Sequence, residues 1–98
     1  MKIQSGTFTF DAKAYPQLAN PKPAGDRTAQ DNINFPVAFR GVPTVSVSLN
    51  RLDAGNGSNT RVLVRTDSIT NDGFELLLTT WWDGVIHSAG VSWIAYEN

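Results

Sequence analysis

Apolar and polar side chains alternate with period two through most of this 98-residue chain, and no segment holds a period of 3.6. Such alternation places one set of side chains on each face of an extended strand. Phe8 and Phe10 share a face of a first strand over Lys2 to Phe10. Ile33, Phe35, Val37 and Phe39 share a face over Asn32 to Phe39, where Pro36, unable to donate to a ladder, predicts an edge position. Thr44 to Asp53 sets Val45, Val47 and Leu49 against Thr44, Ser46 and Ser48. Thr60 to Ser68 sets Val62, Val64 and Thr66 against Arg61, Leu63 and Arg65. Phe74 to Trp81 sets Phe74, Leu76, Leu78 and Thr80 against Glu75, Leu77, Thr79 and Trp81. In the last strand, Val85 to Tyr96, His87, Ala89, Val91, Trp93 and Ala95 face one way, opposite Ile86, Ser88, Gly90, Ser92, Ile94 and Tyr96.

Turn chemistry separates these runs. Arg40-Gly41-Val42-Pro43, the Gly/Asn-rich Asp53 to Asn59, Asn71-Asp72-Gly73 and Trp82-Asp83-Gly84 are each suited to a reversal. Asp11 to Asp31 shows no useful period and carries Pro16, Pro21, Pro23 and Gly25, so it reads as one long loop, pinned to the body by Tyr15 and Leu18. Six evenly spaced strands predict an all-β, antiparallel β-sandwich, with residues 1–98 forming one domain. Leu63, Leu77 and Ile94 oppose apolar neighbours on their own strands, which predicts that another subunit covers an outer face.

Composition narrows the partners. A net charge of −1 offers no electrostatic attraction for nucleic acid or an anionic membrane. No stretch approaches the ~18 apolar residues of a spanning helix. The opening residues hold no apolar run of leader length, so no signal peptide is expected, which predicts synthesis in the cytosol with any later release by a non-classical route. The chain has no cysteine, so disulfides, thiolate metal sites and a thiol nucleophile are excluded.

Catalysis is hard to assemble from what remains. The carboxylates fall mostly in turns, and a nucleophile triad has only His87 to draw on, with Ser88 beside it on the opposite face. Gly55 stands where a calcium loop wants its second oxygen ligand, so no metal or other cofactor is expected. Asn56-Gly57-Ser58 is formally a glycosylation sequon but reads better as a turn.

Binding is easier to assemble. A neutral sugar is held by forked, charge-assisted hydrogen bonds to vicinal hydroxyls and by a flat aromatic face against its C–H patch. Asp26, Arg61 and Trp81 supply these three elements if they converge at one end of the sandwich. Each also has a plainer reading, as a turn residue, a solvated strand charge and a core edge.

In order and spacing, several short segments resemble the H-type lectins, the family of the snail agglutinin and the discoidin C-terminal domains. They are Gln4-Ser5-Gly6, Asn32-Ile33-Asn34-Phe35, Pro43-Thr44-Val45 with Leu52-Asp53, Asn59-Thr60-Arg61-Val62, Gly73-Phe74, Thr80-Trp81 and Val91-Ser92-Trp93-Ile94. The resemblance implies a six-stranded sandwich assembling as a homotrimer, with two trimers stacking to a hexamer left open. It also implies galactose or N-acetylgalactosamine bound between protomers. Carried over by position, it makes Arg61 and Asp26, beside Gly25, the partners of the hydroxyls, Trp81 the apolar contact, and His87 a residue contributed across the interface. Trp82 stands where the snail protein has a histidine near the acetamido group. The snail protein's intrachain disulfide falls near Phe10 and Leu78, an apolar pair in this chain. The function implied is a non-enzymatic, multivalent lectin. The rival is a trimerisation or protein-interaction module that has lost the sugar, and a hydrolase is a distant third.

Overall fold

The computed structural model describes residues 2–21, 25–57 and 59–97; Pro23 of the long loop and Ser58 of the sequon lie outside them. Six strands form, β1 (Lys2–Asp11), β2 (Arg27–Asn34), β3 (Thr44–Ala54), β4 (Leu63–Asp67), β5 (Gly73–Thr80) and β6 (Ile86–Glu97), with a short 3-10 helix at Pro16–Ala19. They make two three-stranded antiparallel sheets, β1-β6-β3 and β2-β5-β4. The all-β sandwich expected from the alternation is therefore present.

Between the sheets lies one core, in which Phe10, Leu18, Leu76, Leu78, Ile86, Ala89, Val91 and Ala95 are fully buried. Trp93, on the central strand β6, reaches across the gap to the Phe35 and Phe74 rings, each 5.7 Å away between centroids. Its cross-strand partner on β1 is Gly6. A β-carbon at Gly6 would stand 2.7 Å from Trp93 Cζ2, so the glycine exists to leave room for the indole. Gly6→Ala is expected to lower stability by about 1–3 kcal/mol through overpacking, read as a shift of the urea midpoint at unchanged slope.

Two strand assignments are corrected. The second strand is Arg27–Asn34, not Asn32 to Phe39. Its inward positions include Arg27 and the half-buried Asp31, polar residues that hide the alternation. They are acceptable inside because the 3-10 segment meets them: Tyr15 Oη donates to Asp31 Oδ2 and Arg27 Nη1 donates to the Gln17 carbonyl. Phe35 and Phe39 are buried from the loop that follows, whereas Val37 is exposed. Gln4 closes that loop by pairing its amide with both backbone groups of Val37, at 2.6 and 3.0 Å.

The second correction concerns His87. Ile86 is buried and His87 exposed, the reverse of the expected faces. Asp53 pairs with Ser88 while Ala54 pairs with Ile86, so His87 is the extra residue of a β-bulge, which inverts the parity of the strand's first turn of pleat. The fourth strand also begins at Leu63 rather than Thr60, which releases Arg61 from the ladder. Leu63 and Ile94 are exposed as expected for outer faces, but Leu77 is buried within the single chain. Tyr15 and Leu18 do pin the long loop, Leu18 in the core and Tyr15 edge-on to Phe10 at 5.2 Å.

Burial, then the bond to Asp31, raises the Tyr15 phenol from its ordinary 10.0 to about 12. Because the neutral phenol is the form the fold favours, its contribution is complete below pH 10.0 and disappears as pH rises through about 12. Urea unfolding in that window should show the native protein losing stability that Tyr15→Phe does not lose.

Candidate functional site

The sheet β2-β5-β4 frays at one end into the segments that carry the predicted binding residues. The last rung of β2 and β5 is Arg27 opposite Thr80, and the last of β4 and β5 is Leu63 opposite Thr79. One step beyond the first pair lie Asp26 and Trp81, and two steps beyond the second lie Arg61 and Trp81. Asp26, Trp81 and Arg61 thus leave the same end of this sheet, one or two residues past the last paired positions of β2, β5 and β4. Arg27 and Thr80 are buried inward, which gives Asp26 and Trp81 the parity of the outward positions.

Arg61 is held from two sides. Its Nε donates to Asp83 Oδ1 at 2.8 Å, and its guanidinium carbon lies 5.0 Å from the Trp82 ring centroid. Neither terminal amino group has a hydrogen-bond partner among the described residues. Stacking and ion pairing therefore orient the fork and leave its donors available. Asp83 is fixed in turn by the Asn59 backbone N–H, and the bond from Arg61 holds its carboxyl below the usual carboxylate range. The bond thus favours the carboxylate form of Asp83.

Trp82 and Asp83 stand on the turn joining β5 to β6, closed by the Gly84 N–H to the Trp81 carbonyl at 3.0 Å. Trp82 occupies the first central position with φ 54°, a left-handed value that favours glycine. A non-glycine residue there stores strain of about 1–3 kcal/mol. The indole is also 61% exposed, so neither packing nor backbone preference explains it. Gly84 is required, since a β-carbon there would run into Thr80 Oγ1 and approach Arg61 Cβ to 3.3 Å.

Gly25 and Asp26 are exposed at the start of β2, with open space around Gly25. Asp26 has no hydrogen bond or ion pair among the described residues. His87 is exposed on its bulge, and no hydrogen bond joins it to the Arg61 cluster within the chain. The structure thus brings Trp82 and Asp83 onto Arg61, and has Arg61, Trp81 and Asp26 emerge from one end of the sheet, while His87 makes no side-chain hydrogen bond to them among the described residues. It adds Asp83, which the sequence offers only as a turn residue, and Asn59, which the sequence offers as a loop end and as the first residue of the Asn59-Thr60-Arg61-Val62 segment.

A hollow of about 820 Å³, bordered by Lys2, Arg40 and Tyr96, opens at the other end of the sandwich. No cluster of three or more histidine and carboxylate side chains able to hold a metal occurs among the described residues. None of their helices is long and apolar enough to cross a membrane.

Comparison with known proteins identifies the fold and the family. The chain is 31% identical over 71 residues to the "ATP synthase subunits region ORF 7" protein of Fuscovulum blasticum, covering 72% of this chain and 62% of that one. It is 31% identical over 74 residues to Discoidin-2 of Dictyostelium discoideum, covering 74% of this chain but 29% of the relative. In three dimensions it superposes on discoidin II of Dictyostelium discoideum with a TM-score of 0.84 at 26% identity, covering 99% of this chain and 38% of that chain. Thus the chain spans less than two thirds of each relative's length. The family model of the H-type lectin domain matches residues 30–96, which is most of the sandwich. The chain belongs to the H-type lectin domain family, a family of carbohydrate-binding domains and not of enzymes.

Proposed function

We propose that this chain is a lectin for terminal galactose or N-acetylgalactosamine, working as a homotrimer with a site at each protomer boundary. The observation that carries the reading is the Arg61 guanidinium, oriented by Asp83 and Trp82 with its terminal amino groups unpartnered among the described residues, at the sheet end from which Asp26 and Trp81 also emerge. A galactose-type ring has adjacent hydroxyls on one edge and a C–H patch on one face. Asp26 accepts from the hydroxyls, the two terminal amino groups of Arg61 donate to them, and Trp81 stacks on the patch. Gly25 leaves the approach to Asp26 open, and Trp82 walls the guanidinium side.

His87 supports the assembly. It is exposed on its bulge and its side chain makes no hydrogen bond among the described residues, which leaves it available to a neighbouring copy. The exposed Ile94 and Leu63 give subunit contacts an apolar component. Three weak sites on one rigid body then engage a glycan surface together, and avidity follows from effective concentration.

A glycan array combined with native mass measurement tests both halves. The expected result is a trimer with signal on terminal galactosides, lost in Asp26→Ala. A well-folded trimer with no glycan signal would instead identify a trimerisation or protein-interaction module, and a sugar-binding monomer would remove His87 from the site.

A further inference from the structure

Arg27 is 5% exposed, and among the described residues no carboxylate pairs with it. Its guanidinium is surrounded by carbonyls. Nη1 donates to Gln17 O at 2.8 Å, and Nη2 donates to Trp82 O at 3.0 Å and Gly84 O at 2.7 Å. Nε is buried without a partner, as is the neighbouring Thr80 hydroxyl. A buried cation without a counter-charge is poor economy for stability, because a well-packed apolar residue of similar size does as well or better. The arrangement calls for another reason.

That reason is in what the three carbonyls belong to. Gln17 lies in the 3-10 helix that leads into the loop bearing Gly25 and Asp26. Trp82 and Gly84 flank Asp83 in the turn that carries the strained, left-handed Trp82. That turn supplies both groups that orient Arg61, the indole beneath it and the carboxylate at its Nε. Arg27 therefore ties the two halves of the site through backbone bonds alone, from below.

We propose that Arg27 is the positioning residue of the site: it holds the Trp82–Gly84 turn in its strained form so that Trp82 and Asp83 orient Arg61, and it anchors the Asp26 loop to the same point. Its consequence for binding rests on the sugar reading above; its effect on the turn does not. Lysine, with a single ammonium, cannot span carbonyls on both sides, so Arg27→Lys keeps the charge and loses the clamp.

The test uses protein carrying 5-fluorotryptophan, whose three ¹⁹F signals are assigned with Trp82→Phe and Trp93→Phe. In Arg27→Lys the Trp82 signal is expected to move while the Trp93 signal stays, and affinity for methyl galactoside should fall about tenfold or more, consistent with loss of a buried hydrogen-bonded contact. A folded Arg27→Lys protein with an unmoved Trp82 signal overturns the clamp, as does a moved signal with unchanged affinity. If the native protein binds no galactoside, the sugar reading fails and the ¹⁹F result alone decides the clamp. Should Arg27→Lys not fold, ¹⁵N-arginine labelling of Arg61→Ala protein decides. One guanidinium with exchange-protected, unaveraged Nη protons supports the clamp, and uniformly averaged guanidinium groups overturn it.

Discussion

Arg61→Ala is expected to weaken galactoside binding about a hundredfold, since two charge-assisted hydrogen bonds at about 1.5 kcal/mol each amount to two decades in affinity. Folding should change little. Arg61 lies outside the β-ladder, and its pair with the half-exposed Asp83 is of the surface kind that contributes little to stability. Titration calorimetry with methyl galactoside, alongside urea unfolding, separates the two effects. Arg65→Ala provides the control. Arg65 has the same outward parity two pairs of residues further along, with Asp67 3.9 Å away, and its loss should leave binding as it is. Equal affinities in the native protein and Arg61→Ala would sink the proposed site.

Trp93→Ala should cost about 3–5 kcal/mol of stability, a large share of the ~5–15 kcal/mol that holds a typical domain together. Trp93 is the largest side chain of the core and meets both Phe35 and Phe74, and Gly6 was cleared for it. Chemical unfolding measures the loss, with Trp93→Phe as the milder variant if alanine leaves no folded protein. Gly6 adds an internal check. In a Trp93→Phe background the smaller ring leaves space for a β-carbon, so Gly6→Ala should cost less than in the native protein. Simple additivity of the two changes would mean that the glycine serves something other than the indole.

How much of the site was legible in the residues divides along one line. Arg61, Trp81 and Asp26 stood out because their chemistry suits a sugar and because nearby motifs resemble the H-type lectins. Asp83 and Arg27 did not. Asp83 looks like any aspartate in a tight turn, and only folding brings Arg61, 22 residues away, to its carboxyl. Arg27 looks like a solvated loop charge, and only the convergence on it of one carbonyl from the 3-10 helix and two from the β5–β6 turn buries it. The second strand was misplaced for the same reason. Its inward Arg27 and Asp31 break the apolar alternation and become acceptable only through partners distant in sequence.

Period-two alternation, turn chemistry and the lack of any helical period determined by themselves that the chain is an all-β sandwich of six strands, because side-chain parity along a strand is a local property. Parity fails wherever a residue is inserted or a polar group is buried. The His87 bulge reverses two faces, and β2 hides behind an inward arginine and aspartate. Only the tertiary structure decided those features, together with the contacts that orient the Arg61 guanidinium and those that bury Arg27. Each depends on which strand lies beside which, and on long-range partners that no local pattern encodes.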